Sequence, residues 1–95
     1  MQKVEVYQCE LDKSIPLEYI GTVKYSGVSF GVEGLTSGKE YVIVKNRSGL
    51  LAVVDDSEED YLYDLSNPRP ADGTSPGGKF KVIDDPLGIL AGLVE

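Results

Sequence analysis

The chain has 95 residues and a formal charge of −7, set by nine basic and sixteen acidic side chains, with no histidine and one cysteine. That length limits it to a single domain burying roughly 60 to 65% of its unfolded surface. The charge disfavours direct DNA or RNA binding, which needs clustered Lys and Arg, and the Cys and His counts exclude an internal disulfide and a Cys/His zinc site.

An apolar content of 41% suffices for a packed core. Nothing at the amino terminus reads as a signal peptide, and no apolar run approaches the ~20 residues of a membrane span. A cytoplasmic protein with no membrane association is expected.

In chain order, the first segment, Met1 to Cys9, sets Val4 and Val6 on one parity and Tyr7 and Cys9 on the other. It predicts a strand whose face switches at a bulge, or an edge strand added to a sheet. Cys9 reads as a buried small hydrophobe and not as a nucleophile, since no histidine is present to activate a thiolate. Glu10 to Glu18 carries Pro16 and mixed charges and reads as a connection, with Ile15 and Leu17 tucked onto the core. From Tyr19 the pattern is extended: Ile20, Val23 and Tyr25 surround Gly21, whose missing side chain permits a bulge or close packing.

Ser26 to Gly38 holds glycines at 27, 31, 34 and 38 with Phe30, Val32 and Leu35 between them, an irregular loop anchored by apolar side chains. It is no phosphate loop, because Gly38-Lys39 leads into a β run rather than a helix. Two apolar runs, Tyr41 to Val44 and Leu50 to Val54, flank the turn Asn46-Arg47-Ser48-Gly49 and predict a β-hairpin. A third strand is expected over Asp60 to Asp64.

The run Asp55-Asp56-Ser57-Glu58-Glu59-Asp60 is the sharpest local feature. Two unit charges about 6 Å apart in water repel by roughly 0.7 kcal/mol, so the run is expected at the surface as a solvated turn. An anionic docking patch for a basic partner is the alternative. A calcium loop starting at Asp55 fails, since its sixth and twelfth positions are Asp60 and Ser66 instead of Gly and Glu. No metal or cofactor is expected.

Asp64 to Gly78, with three prolines and three glycines, reads as a long loop with little to bury beyond Leu65. Lys79 to Asp84 alternates apolar and lysine residues, as a last strand does. Asp85-Pro86 then offers an N-cap and a first helical residue, with Leu87, Leu90 and Val94 on one face of a short helix lying over the open barrel end. The whole is one domain. It comprises an N-terminal strand and connection (1–18), a barrel core (19–64), a Pro/Gly-rich loop (65–78), and a last strand with a short helix (79–95).

Leu35-Thr36-Ser37-Gly38-Lys39 followed by the strand Glu40 to Val44, with Tyr25 and a long loop before it, resembles the opening half of an SH3-like barrel. The resemblance continues through Asn46 to Gly49, Leu50 to Val54, the acidic turn and Asp60-Tyr61-Leu62-Tyr63, covering roughly residues 20–68. The chain is also similar to short proteins of Gram-positive bacteria and their prophages that carry an FGVEGLT-GK-Y core and a VVDDS-EDYLY close. The likeness implies a mainly β fold, a small antiparallel barrel with a short C-terminal helix, and names no activity. It departs from the polyproline-binding pattern: there is no tryptophan, Leu50 and Leu51 stand near its place, and Tyr63 replaces the groove proline. Of that groove only Tyr25 is carried over.

Catalysis is not expected. There is no histidine for acid–base work near neutral pH, and no activated nucleophile. The function that follows is a non-catalytic interaction or accessory module. It would present Tyr25, Phe30, Tyr61 or Tyr63, together with Asp55, Asp56, Glu58, Glu59 and Asp60, to a protein partner. The alternative is an acidic inhibitor or nucleic-acid mimic encoded by a mobile element, whose affinity would fall steeply with salt.

Overall fold

The computed structural model describes residues 2–30, 34–70 and 73–94. Gly31 and Val32 of the glycine-rich loop lie outside them. The elements are β1 (Lys3–Gln8), β2 (Lys13–Gly27), β3 (Glu40–Lys45), β4 (Leu51–Val54), β5 (Asp60–Tyr61), β6 (Gly78–Asp84) and a single-turn helix α1 (Ala91–Val94). The protein is mainly β. All pairings are antiparallel, in the order β1-β2-β3-β4-β5 with β6 also on β2, and the sheet curls into a half-barrel.

The fifteen-residue β2 organises the sheet. One of its edges carries β1 along 13–18 and then β6 along 22–27, while the other carries β3 along 18–24. The stretch 13–18 is therefore strand, not the connection expected from Pro16. The Tyr19 amide donates to the Gln2 carbonyl at 2.9 Å, so odd-numbered amides here aim at β1. The donor that Pro16 lacks would have pointed at the open edge, where nothing is lost.

A bulge between Tyr19 and Gly21 turns the strand over. Before it, Leu17 and Ile15 join Val6, Val44, Ala52, Val42 and Val54 in a cluster inside the curl. After it, Val23 and Tyr25 join Ile20, Tyr41, Ile43, Val53, Leu35, Phe80, Leu90 and Val94 in a second cluster on the opposite face of β3 and β4. One extra residue thus converts a strand of constant parity into one that serves two interiors. β1 needs no face switch: Val4, Val6 and Gln8 all turn inward, and Tyr7 is exposed.

The expected hairpin forms with the register Val44↔Ala52 and Ile43↔Val53. Asn46 Oδ1 accepts from the Ser48 and Leu50 amides, and Gly49 supplies the left-handed φ of 82° that the turn requires. β5 is shorter than the strand expected over Asp60 to Asp64, ending at Tyr61.

The carboxyl-terminal segment makes a lid, but not the helix expected from Pro86. Gly88, at φ 68°, interrupts it, and among the described residues only Ala91–Val94 is helical. Leu90 and Val94 enter the core as expected, whereas Leu87 is 55% exposed. The Asp85 carboxylate accepts from the amides of Ile89, Leu90 and Ala91 at 3.0 to 3.1 Å and so fixes the lid's entry.

Candidate functional site

The acidic run folds as a β4–β5 turn whose carboxylates act chiefly as hydrogen-bond acceptors for the barrel. Asp55 is buried, at 7% exposure, contrary to the expectation of full solvation. Its Oδ1 accepts from the Ser57 amide and its Oδ2 from the Tyr63 hydroxyl at 2.7 Å. Asp56 accepts from the Tyr41 hydroxyl, the Thr36 hydroxyl and Lys39 Nζ, each at 2.8 Å. Glu59 accepts from the amide of Cys9, a residue that is exposed and not buried as expected, and Asp60 from Gln8 Nε2 at 2.6 Å, drawing β1 toward β5. Glu58 is exposed and takes a left-handed φ of 66°.

These contacts set the local ionisation. Burial raises the Asp56 carboxyl, but hydrogen bonds from Lys39, Thr36 and Tyr41 outweigh it and hold the group below the usual carboxylate range. The Leu90 amide, followed by those of Ala91, Ile89 and Gly88, lowers Asp85 likewise against a smaller effect of burial. Burial first, then the Asp55 hydrogen bond and charge, push the Tyr63 phenol far up, so it remains a donor.

A carboxyl held below its ordinary value of 3.8 stabilises the fold fully above that value, and the contribution is lost as pH falls through the folded-state value. Denaturant midpoints should therefore begin to drop below about pH 4, with the loss shallower in Asp56→Asn and Asp85→Asn. Midpoints unchanged down to about pH 2.5 would contradict both assignments.

Beside the turn lies a cleft of about 1170 Å³. Its walls are Phe30 and Gly34, the run Tyr61-Leu62-Tyr63-Asp64 with Asp55 beneath it, and the Pro/Gly loop folded back through Arg69, Pro70 and Pro76. Tyr61 is 50% and Leu62 60% exposed. The Phe30 and Tyr63 rings meet at 6.3 Å between centroids with planes tilted by 46°. A smaller, polar cleft of about 370 Å³ lies between the β1–β2 and β3–β4 turns, and Tyr61 is the ridge between the two.

Of the residues expected to bind, Phe30, Tyr61, Tyr63 and Asp55 are brought together in the larger cleft, while Glu59 and Asp60 line the smaller one. Tyr25 is not part of a surface. Its ring is fully buried, packed edge-on against Phe30 and Phe80, and its hydroxyl donates to the Val28 carbonyl at 2.6 Å. Asp56 faces Thr36 and Tyr41 instead of the cleft.

Leu62, Arg69, Pro70 and Pro76 are lining residues that the sequence did not single out. The burial of Pro68, whose carbonyl accepts from the Gly78 amide at 3.0 Å, is what folds the loop back against the barrel. Among the described residues no group of His, Cys, Asp and Glu is placed to hold a metal, and no helix is long and apolar enough to cross a membrane. No family model, curated protein or solved structure matches this chain.

Proposed function

We propose that this chain is a non-catalytic protein-interaction module of SH3-like type that takes an extended segment of a partner into the cleft beside β5. The observation that carries this reading is the half-exposed Tyr61-Leu62 pair on the wall of a cleft that Phe30 and Tyr63 also line. An aromatic cleft of this kind offers pockets for the side chains of an extended segment, and exposed Tyr and Leu at its rim offer apolar area to bury against it. The internal bonding of Asp55, Asp56, Glu59 and Asp60 favours this reading over an acidic mimic, which needs its carboxylates displayed to a basic partner.

Selection of a displayed random-peptide library on the purified protein tests it. Enriched peptides are expected to lose about thirtyfold or more in affinity for Tyr61→Ala/Leu62→Ala, as hot-spot residues do. Because both side chains are at least half exposed, the double variant should keep its stability to about 0.5 kcal/mol per site. Failure of any peptide to enrich, or enrichment indifferent to the double variant, would overturn the proposal.

A further inference from the structure

We infer that the cleft selects a cationic side chain, arginine or lysine, on the docked segment; this rests on the interaction-module reading and names its partner's chemistry. Three aromatic rings, Phe30, Tyr61 and Tyr63, line the same cavity, and the tilt between Phe30 and Tyr63 leaves them unstacked. Aromatic faces are regions of negative potential that attract a guanidinium or ammonium group.

The charges point the same way. The charged side chains described along the cleft are Asp55, Asp64 and Arg69, a net charge of −1. Hydrogen bonds from Ser66 and then Asn67 lower the Asp64 carboxyl, Arg69 is the least of the influences that do so, and both side chains are exposed. That leaves Asp55. Its hydrogen-bond donors are the Ser57 amide and hydroxyl and the Tyr63 hydroxyl, none of which brings a positive charge. The salt bridges among the described residues, Lys39 to Asp56 and Arg47 to Glu10, do not reach it.

A buried carboxylate backed by neutral donors and fronted by aromatic rings makes the cavity a well for a cation. The hydrogen bond from Tyr63 to Asp55 joins the two, since a phenol donating to a carboxylate gains electron density in its ring. An anionic side chain entering the same space meets Asp55 with Glu58, Glu59 and Asp60 in the adjoining turn, which disfavours it.

The test uses a peptide enriched on the full chain and its counterpart with citrulline in place of the enriched arginine, a neutral side chain of nearly the same shape. The expected result is a loss of about tenfold for citrulline, the size of one partly desolvated cation–π contact. N-acetyl-arginine amide should shift the backbone resonances of Phe30, Gly34 and Tyr61 to Tyr63, and its citrulline analogue should not. Arg69→Ala should bind the arginine peptide equally or more tightly.

Several results would overturn the inference alone: equal affinity for citrulline, enriched peptides with no basic position, or abolished binding in Arg69→Ala. In those cases sensitivity to Tyr61→Ala/Leu62→Ala would leave the module reading standing. Peptides indifferent to that double variant would remove both.

Discussion

Replacing Gly21 with valine is expected to destabilise the fold by about 3 kcal/mol or more, a large share of the roughly 5 to 15 kcal/mol that holds a domain together. A Cβ at this position would stand against the Asp84 carbonyl oxygen and 2.5 Å from Leu90 Cδ1. One obstacle is the backbone of β6, which no rotamer change relieves, and the other is the end of the Leu90 side chain, the fully buried anchor of the lid. Urea denaturation of Gly21→Val against Gly92→Ala measures the effect. A Cβ at Gly92 meets nothing within 4 Å, and that glycine lies in α1, so its replacement should be neutral or stabilising by up to about 1 kcal/mol. Gly21→Val with wild-type stability would mean that β6 and the lid do not close over β2 as described.

The second large effect is expected at Tyr25. Truncation to alanine should cost about 3 to 5 kcal/mol, because it empties a buried aromatic volume and removes two edge-on partners, Phe30 and Phe80, at 6.0 Å between centroids. Tyr25→Phe should cost about 1 kcal/mol, the net worth of the hydroxyl bond to the Val28 carbonyl. Thermal or chemical unfolding of the pair separates packing from hydrogen bonding. If Tyr25→Ala instead left stability intact and weakened peptide binding, the ring would belong to a surface and the core description would fail.

Tyr25 also marks where the sequence stops being informative. Half-buried strand positions and binding grooves favour the same aromatic residues, so parity alone does not separate a core ring from a presented one. The β3–β4 hairpin was legible because strict alternation and an Asn-to-Gly turn point to the same register. The first half of β2 was not, because a proline and a run of polar residues look like a connection when the open edge that accommodates them is invisible. The burial of Asp55 within the acidic turn was illegible for a related reason. Counting charge suggests repulsion and solvation, whereas the donors that satisfy Asp55, Asp56 and Asp60 are Tyr63, Tyr41, Thr36 and Gln8, brought in by the fold from up to 52 positions away. The cleft's far wall was beyond reach as well, since the burial of Pro68 that returns the loop leaves no periodic trace.

The inversion of β2 at its bulge ties the two apolar interiors to a single thread. Neither can open without pulling on the other, so the amide protons on both sides of β3 and β4 should exchange with deuterium in one step, at the free energy of global unfolding. A deletion at Thr22, in the regular stretch beyond the bulge, would do what no point substitution does: it would put Val23 and Tyr25 on the wrong side of β3 together, leaving half the molecule without an inside.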